Sequence, residues 1–235
     1  MQLHGLHHVT AVTGNAPANL DFYTRILGLR LVKKTVNQDD TSAYHLFYAD
    51  KIGSPGTDMT FFDWPQTNQD QRGTDSIAKT MFRVNGRESL DYWAKRLTEH
   101  QVKAQPISRF RGHDILRFED PEGQRLALVD DKGELFEGEV WEATDVPAEY
   151  ALRGFHAVAL SVPALDQVGT ILSQILHFEE VERLPNPDNP TEEVVIYAMD
   201  SGGPGKEVHV YVQPEAQRAW LGRGGVHHVA FRLHD

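Results

Sequence analysis

The sequence predicts an α+β protein that is built from tandem βαβββ modules. Three observations support this fold class: a strand-like segment recurs, the two halves of the chain align at one offset, and each half runs through strand and helix patterns in the same order. The recurring segment reads GLHHVTAVT from Gly5, GFHAVALSV from Gly154 and GVHHVAFRL from Gly225. Two copies carry a doubled histidine and the middle copy keeps one, and this difference needs an explanation.

The duplication appears when the chain is shifted by 149 residues, the distance from Gly5 to Gly154, and the two halves then align without gaps for about fifty positions. Matched pairs include His7 with His156, Val9 with Val158, Tyr48 with Tyr197 and Gly53 with Gly202. Because these matches fall on turn and core positions at a single offset, chance does not explain them.

The first repeat begins with an alternating strand over residues 5–13 and continues into the helical segment NAPANLDFYTRILG. Asn15 is the expected N-cap of this helix, and Gly28 is the expected stop at its C-terminal end. The buried face of the helix is expected to carry Leu20, Tyr23 and Leu27. Strand-like runs follow at about 29–36, 43–49 and 57–63, and they complete a βαβββ module.

The remaining modules follow the same order. A divergent copy occupies about 76–131, and together with the first module (about 1–64) it makes up the unit 1–131. The acidic, non-periodic stretch 132–152 is the expected linker, and residues 153–235 hold a third module and the first strand of a fourth. The repeat length implies about 70 further residues, so we expect the fourth module to be truncated in this chain.

Composition argues against several classes of function. The formal net charge is −11 and no basic stripe is present, so nucleic-acid binding is not expected. No apolar run reaches 18 residues, so no membrane span is expected. The chain has no cysteine for a disulfide, a thiolate nucleophile or a cysteine-based zinc site. The sequence shows no signal peptide, and we therefore expect a cytoplasmic protein.

Alternation along the strands separates the two histidines of each pair. Successive residues of a strand point to opposite faces of a sheet, so His8 and His228 fall on a face that is otherwise small or polar. The same alternation sends His7 and His227 to the apolar face that a helix should cover. In modules three and two, the place of the second histidine is taken by Ala157 and Lys79. Two histidines at equivalent positions on one open face favour a metal site, since imidazole is the commonest metal ligand.

These features resemble the vicinal oxygen chelate superfamily of glyoxalases, bleomycin-resistance proteins and extradiol dioxygenases. The resemblance rests on the βαβββ repeat, the HHV strand openings, the segment DFYTRILGLRLV and the DPEG turn before a final strand, and it covers the whole chain. Four modules with paired histidines in the first and fourth are similar to the ring-cleaving dioxygenases of the hydroquinone type. The resemblance implies that the modules form the half-barrels of this superfamily.

Carried over residue by residue, the resemblance implies that His8 and His228 bind Fe(II) or Mn(II) together with a glutamate. It also places His7, Thr10 and His227 beside these ligands, although alternation points the two histidines away from the cavity. In modules one, two and three, the strand position of the glutamate is held by Thr60, Ala127 and His209. None of these is a carboxylate, and the repeat projects the glutamate to about position 276, outside the 235 residues.

Other polar residues have simpler interpretations. Isolated surface or turn positions are expected for His45, His100, His113 and His177, and packing positions for Tyr48 and Tyr197. His209 stays a candidate ligand because it occupies the carboxylate position of module three. Arg232 is expected to face the cavity, where it could hold a phenolate, but Arg83 takes the equivalent place in module two and favours a structural role equally.

The sequence therefore predicts a non-haem, metal-dependent ring-cleaving dioxygenase of the extradiol type, with a hydroquinone or catechol and O2 as its partners. Two alternatives stay open. A glyoxalase-like isomerase or lyase would use Zn or Ni and a second carboxylate, which the open face does not offer. A metal-free small-molecule binding protein would use the same fold without paired histidines. A homodimer also stays open.

Overall fold

The computed structural model describes residues 2–36 and 43–233, and it has the α+β fold that the sequence predicts. The first module consists of β1 (Leu3–Thr13), α1 (Ala16–Leu20), β2 (Arg30–Val36), β3 (Tyr44–Ala49) and β4 (Asp58–Asp63). The second consists of β5 (Ser76–Val84), α2 (Gly86–Glu99), β6 (Ser108–Phe110), β7 (His113–Glu119) and β8 (Arg125–Asp130). The third consists of β9 (Phe155–Val162), α3 (Asp166–Thr170), β10 (Glu179–Asn186), β11 (Asn189–Ala198) and β12 (Glu207–Val212), and β13 (Val226–Leu233) follows it.

The stretch 132–152 between the second and third modules contains the 3₁₀ turn Ala148–Tyr150. This turn is anchored from the second module, because the indole N–H of Trp93 donates a hydrogen bond to the carbonyl of Tyr150 at 2.8 Å. How the chain divides into independent domains stays a prediction.

Each module closes its sheet in the same way. The first strand pairs parallel with the last strand, as in β1 with β4, β5 with β8 and β9 with β12. The last three strands of each module form an antiparallel meander. First strands then pair antiparallel between modules, β1 with β13 and β5 with β9. We call β1–β4 with β13 the first half-barrel, and β5–β12 the second half-barrel.

The ends of the first helix are those that the sequence predicts. The side chain of Asn15 accepts a hydrogen bond from the amide of Ala18 at 3.2 Å, so it is the N-cap. After the helix, Gly28 has a φ of 72°, in the left-handed region that glycine adopts without strain.

The middle of this helix differs from the predicted α-helix. From Asp21 to Ile26 the chain forms a π-helix, in which the amide of Leu27 donates to the carbonyl of Phe22, five residues back. The wider turn rotates the side chains, so Leu20 is 38 % exposed and its predicted burial is wrong. The buried side chains of the segment are Phe22, Tyr23, Ile26 and Leu27. Helix α3 continues into the same kind of turn over Ile171–Ile175, so both repeats share this deviation.

Glycine-rich turns connect the two half-barrels to each other. The carbonyl of Gly56, in the turn before β4, accepts a hydrogen bond from the amide of Phe155 at 2.8 Å. The carbonyl of Gly205, in the equivalent turn before β12, accepts one from the amide of Leu6 at 2.7 Å. The strand-opening glycine is required by this contact, because a Cβ on Gly154 would lie 2.6 Å from the Gly56 oxygen.

Each of the three strands that carry the recurring motif, β1, β9 and β13, contains a register shift at the first histidine of the motif. In the pairing of β1 with β13, Leu6 opposes Phe231 and His8 opposes Ala230, which leaves His7 as the extra residue of a β-bulge. Equivalent shifts fall at His156 in β9 and at His227 in β13. The bulge resets the alternation, so Leu6 and Val9 both lie in the core although their positions have opposite parity.

The sheet has one face that packs against the helices and an opposite face, which we call the inner face. Residues of both half-barrels share a core on the helix side, among them Val9, Phe61, Phe82, Trp93 and Val158. A second apolar cluster fills the inner face of the second half-barrel. No helix in the described parts of the chain is long and apolar enough to cross a membrane.

Candidate functional site

His8 and His228 meet on the inner face of the first half-barrel. The antiparallel register of β1 and β13 sets Thr10 opposite His228 and Ala230 opposite His8, which joins two imidazoles that are 220 positions apart in sequence. Their Nε2 atoms lie 3.2 Å apart, and the rings meet edge to face with centroids 5.3 Å apart. The predicted convergence of the two histidines is confirmed, and their role as metal ligands stays a prediction.

His7 and His227 lie directly beside these two imidazoles. The Nδ1 of His7 is 3.0 Å from the Nδ1 of His8, and the Nδ1 of His227 is 2.8 Å from the Nδ1 of His228. Alternation predicts that the first histidine of each pair points away from the cavity. That prediction is wrong, because each of these residues is the extra residue of a bulge, and a bulge redirects its side chain.

Two threonines and a third histidine extend this cluster across the inner face. The Oγ1 of Thr10 lies 3.0 Å from the Nε2 of His228 and 2.8 Å from the Oγ1 of Thr60. The Oγ1 of Thr60 lies 2.9 Å from the Nε2 of His45 on β3. The structure thus brings Thr10 to the predicted ligands, and it links them to a residue that the sequence patterns did not select.

His45 is the candidate that sequence analysis missed. Sequence patterns place it at an isolated surface or turn position, but it is half-buried on β3. Its ring centroid lies 4.0 Å from that of Phe47 and 4.6 Å from that of Phe62. A signal was present in the duplication, since the offset of 149 residues sets His45 against Val194. One repeat therefore carries an imidazole where the other carries an aliphatic side chain.

Burial favours the neutral form of these imidazoles. It lowers the pKa of His8 to about 4, with further contributions from the neighbouring His228 and His7. Burial is also the main reason that the pKa of His45 is lowered to about 4, and it lowers the pKa of His228. Neutral imidazole is the form that binds a metal ion, so these side chains are in the ligand form at neutral pH.

Phe62 and Trp64 form an aromatic wall beside the histidines. Their rings stack with centroids 5.4 Å apart and an interplanar angle of 18°. His227 lies edge-on to both, at 5.4 Å from Phe62 and 5.7 Å from Trp64, and the ring of His228 is 6.2 Å from that of Phe62. A planar aromatic molecule can pack offset or edge-on against such rings. The cluster thus places an aromatic surface next to candidate metal ligands.

The described residues fit a metal ion through two ligands. Nitrogens 3.2 Å apart match neighbouring positions around one ion, because imidazole nitrogens bind such ions at about 2.1 Å. Within residues 2–36 and 43–233, no three His, Cys, Asp or Glu side chains come together in a way that could hold a metal ion. Asp58 opposes His8 across β4 and β1 without completing such a group, and burial raises the pKa of its carboxyl to about 7. The glutamate ligand therefore stays a prediction.

His209 lies in the second half-barrel, and the structure does not bring it to His8 and His228. It is buried, and its Nε2 lies 3.0 Å from the Oε2 of Glu207. The same oxygen accepts a hydrogen bond from Nη1 of Arg111 at 2.6 Å. Burial opposes the charge on Glu207, but the contacts with His209 and Arg111 outweigh it and lower the pKa of Glu207 to about 2.

Two further expectations need correction. His113 is not isolated, because its ring lies 5.4 Å from that of His156 and its Nδ1 lies 2.7 Å from the carbonyl of Asp130. Arg232 does not face the histidine cluster. Its Nε donates to the carbonyl of His4 at 3.3 Å, and it lines a groove between the two glycine-rich turns.

Arg83, which takes the place of Arg232 in module two, has a structural role, since its Nε donates to Asp131 at 2.7 Å in a buried ion pair. One other expectation is confirmed. Tyr48 is fully buried and packs against the ring of Phe61, and its hydroxyl donates to Oδ1 of Asn19 at 2.9 Å.

Comparison with known proteins gives consistent matches. A sequence profile of the Glyoxalase/Bleomycin resistance protein/Dioxygenase superfamily matches residues 5–128. MhqA of Bacillus subtilis (strain 168), whose name assigns it provisionally to the ring-cleaving dioxygenases, is 43 % identical over 235 residues, which are 100 % of this chain and 74 % of MhqA. The chlorohydroquinone/hydroquinone 1,2-dioxygenase of Sphingobium indicum is 31 % identical over 241 residues, covering 100 % of this chain and 72 % of that enzyme.

Solved structures agree with the fold. The crystal structure of a provisionally assigned dioxygenase from Bacillus subtilis subsp. subtilis str. 168 matches with a TM-score of 0.87 and 34 % identity, over 100 % of this chain and 71 % of the other. Glyoxalase I from Zea mays matches with a TM-score of 0.70 and 13 % identity, over 97 % of this chain and 73 % of the other. The second likeness shows the fold alone.

Proposed function

Because the chain belongs to the glyoxalase/bleomycin resistance protein/dioxygenase superfamily, we propose that it is a ring-cleaving dioxygenase of the extradiol type that acts on a hydroquinone or a catechol. The observation that carries this proposal is the convergence of His8 and His228, whose Nε2 atoms lie 3.2 Å apart. In the proposal, these nitrogens bind Fe(II), or Mn(II), and the predicted glutamate is the third protein ligand. The partners are the aromatic substrate and O2, and a cytoplasmic location and a homodimer stay predictions.

The first histidine of each pair orients the second. In each pair the two Nδ1 atoms lie within hydrogen-bond distance, so one of them donates and the other accepts. When His7 accepts from the Nδ1–H of His8, the lone pair of His8 is left on Nε2, the atom that faces His228. His227 does the same for His228. The doubled histidine thus consists of one residue that binds and one that fixes its tautomer.

A bound Fe(II) ion would supply the redox centre through which electron density passes from a dihydroxybenzene to O2. The chain's own residues hold and orient the substrate. The aromatic wall of Phe62 and Trp64 packs against the ring, since stacked and edge-on contacts suit two aromatic systems. The hydroxyl of Thr10 lies 3.0 Å from Nε2 of His228 and is placed to bond a substrate hydroxyl.

The other members of the superfamily have less support as models for this chain. A glyoxalase-like isomerase would need a second carboxylate on the inner face, where the equivalent strand position holds Thr60. A metal-free binding protein leaves the two converging, neutral imidazoles of His8 and His228 without a purpose. Three relatives at 34–43 % identity are named, provisionally, as ring-cleaving dioxygenases, and one at 31 % is named a chlorohydroquinone/hydroquinone 1,2-dioxygenase, which favours the dioxygenase.

Oxygen consumption tests the proposal. The protein is loaded anaerobically with Fe(II) or Mn(II) and mixed with aerated hydroquinone, catechol and substituted dihydroxybenzenes. We expect one O2 to be consumed per ring and the absorbance of a ring-opened product to appear, with no uptake by the matched variant His228→Ala. An absence of uptake across the panel, together with isomerisation of the methylglyoxal–glutathione adduct, would overturn the proposal in favour of a glyoxalase.

A further inference from the structure

We propose that His45 is a further positioning residue of this site, which sets through Thr60 the direction in which the hydroxyl of Thr10 bonds to a hydroxyl group of the substrate. This inference rests on the proposed function and deepens it. Its basis is an unbroken series of three hydrogen-bond contacts that begins at His45 and ends at a predicted metal ligand, which we call the relay.

The relay is short, and its two middle members are shielded from water, whereas His45 and His228 at its ends are half-buried. Its contacts measure 2.9 Å from Nε2 of His45 to Oγ1 of Thr60, 2.8 Å from there to Oγ1 of Thr10, and 3.0 Å on to Nε2 of His228. Thr10 is 0 % exposed and Thr60 is 1 % exposed. Water therefore cannot exchange freely for these partners, and each hydroxyl depends on its neighbours in the series.

The single proton of a hydroxyl makes the relay directional. A buried hydroxyl with two partners donates to one and accepts from the other. If Nε2 of His45 carries a proton, it donates to Thr60, Thr60 donates to Thr10, and the proton of Thr10 points away from Thr60. If Nε2 of His45 is bare, every bond reverses and Thr10 presents a lone pair. The two threonines permit both directions, so the imidazole at the end of the series selects one.

The substrate enters this series at Thr10. In this structure the imidazole of His228 covers the hydroxyl of Thr10, which is 0 % exposed. When His228 turns to serve as a metal ligand, it uncovers that hydroxyl, while Thr60 still holds its other side. A dihydroxybenzene offers a hydroxyl that can take the place of His228 as the partner. A ring without that hydroxyl would leave Thr10 buried and unpaired, so the relay selects for hydroxylated rings.

The duplication supports treating the relay as one unit. The positions of Thr10, His45 and Thr60 are occupied in the other repeat by Ala159, Val194 and His209. Both Ala159 and Val194 are 0 % exposed and belong to an apolar cluster. The half-barrel without a histidine pair therefore lacks all three members of the relay, whereas the half-barrel with the pair has all three.

The ring of His45 is also fixed in place, as a residue that sets a direction must be. It packs against the rings of Phe47 and Phe62, with centroids 4.0 and 4.6 Å away and interplanar angles of 35° and 51°. The variant His45→Phe keeps an aromatic ring in this position and removes the nitrogen. The variant His45→Gln places an amide within reach of Thr60.

Nuclear magnetic resonance of the metal-free protein tests the relay without any turnover. Long-range ¹H–¹⁵N spectra of histidine-labelled protein report which ring nitrogen of His228 carries the proton. We expect His45→Phe to change the tautomer ratio of His228 by about two- to tenfold, the range for loss of one hydrogen bond, and His45→Gln to restore it. The matched control His113→Phe, in the second half-barrel, should leave His228 unchanged.

A second variant keeps the test decisive if His45→Phe fails to fold. Thr60→Val breaks the relay in its middle with little change of shape and should give the same change at His228, and the double variant should add nothing further. Unchanged His228 signals in Thr60→Val would overturn the relay.

In the loaded enzyme, His45→Phe should raise KM for hydroquinone about tenfold with a smaller effect on kcat. An unchanged KM would overturn the contact with substrate, whereas inactivity of the unmodified protein would count against the proposed function alone.

Discussion

The two half-barrels share one strand plan but differ in what their inner faces hold. The first carries His8, Thr10, His45 and Thr60, and the second carries Ala157, Ala159, Val194 and His209 at the equivalent positions. In the second half-barrel most of these side chains are fully buried in an apolar cluster with Met81 and Ile196. In the first, His8 and His45 are half-buried and linked to polar partners.

This difference shows how a duplicated fold can support a polar site. Burying polar groups opposes folding unless each finds a partner, whereas an apolar cluster stabilises the fold through surface removed from water. The second half-barrel contributes mainly to stability, and the first holds the converging imidazoles of His8 and His228. Lys79 occupies in the second half-barrel the position that His228 occupies in the first. Its Nζ lies over the ring of Tyr211 and 3.3 Å from Asp188, so this cation also has partners within its own half-barrel.

The largest contrast is expected between His8→Ala and Lys79→Ala. His8→Ala removes a proposed metal ligand and should lower metal retention and turnover by more than about 100-fold. Substituting a residue that only hydrogen-bonds to a metal-binding side chain usually lowers metal affinity or activity by about 10- to 100-fold. Lys79→Ala alters the other inner face and should leave turnover within about twofold. Metal content after desalting and the initial rate of O2 uptake measure both effects. Comparable losses in the two variants would contradict the division between the half-barrels.

A smaller contrast is expected between Ile196→Ala and Phe47→Ala, which change equivalent positions. Ile196 is 0 % exposed, so its truncation should lower the free energy of unfolding by about 3 kcal/mol and leave turnover per folded molecule unchanged. Phe47 is half-buried beside His45, so its truncation should lower stability by about 1 kcal/mol and raise KM. Urea unfolding and steady-state kinetics check the pair. A larger stability loss for Phe47→Ala would reverse the comparison.

The last contrast concerns pH and His156, the bulge residue of the second half-barrel. Burial, assisted by His209, lowers the pKa of His156 from 6.5 to about 3. The unfolded chain thus takes up this proton at a higher pH than the folded chain. Neutral His156 therefore makes its full contribution to the free energy of unfolding above pH 6.5. This contribution is lost as the pH falls toward 3, by at most about 1.4 kcal/mol per pH unit. In urea titrations between pH 7 and 4, His156→Phe should lose stability less steeply than the unmodified chain, and equal slopes would contradict the prediction.

The fold was predictable because its signals are periodic and repeated. The offset of 149 residues identifies the modules, and strand alternation with turn residues places the strands. The N-cap at Asn15 was predictable because capping depends on one side chain and its nearest amides. Leu20 was assigned wrongly because an α-helical period cannot represent the π-turn that follows it.

The site was only partly predictable, because no residue pattern in the sequence identifies the β-bulge that adds a residue to the strand. Strict alternation sends His7 away from His8, whereas the register shift sets their Nδ1 atoms 3.0 Å apart. His45 was missed for another reason. Its partner Thr60 lies on the neighbouring strand, and pairing between strands is a property of the folded sheet that a pattern along one strand does not contain.

The contact between His8 and His228 joins positions 220 residues apart. Pairing of such distant segments requires the intervening chain to be organised first, since closing a long loop carries an entropy that earlier contacts must reduce. A nascent chain that presents His8 therefore lacks His228 as its partner until both repeats have been synthesised. If His8 and His228 bind a metal ion as proposed, that ion would favour by mass action the state in which β1 and β13 are already paired.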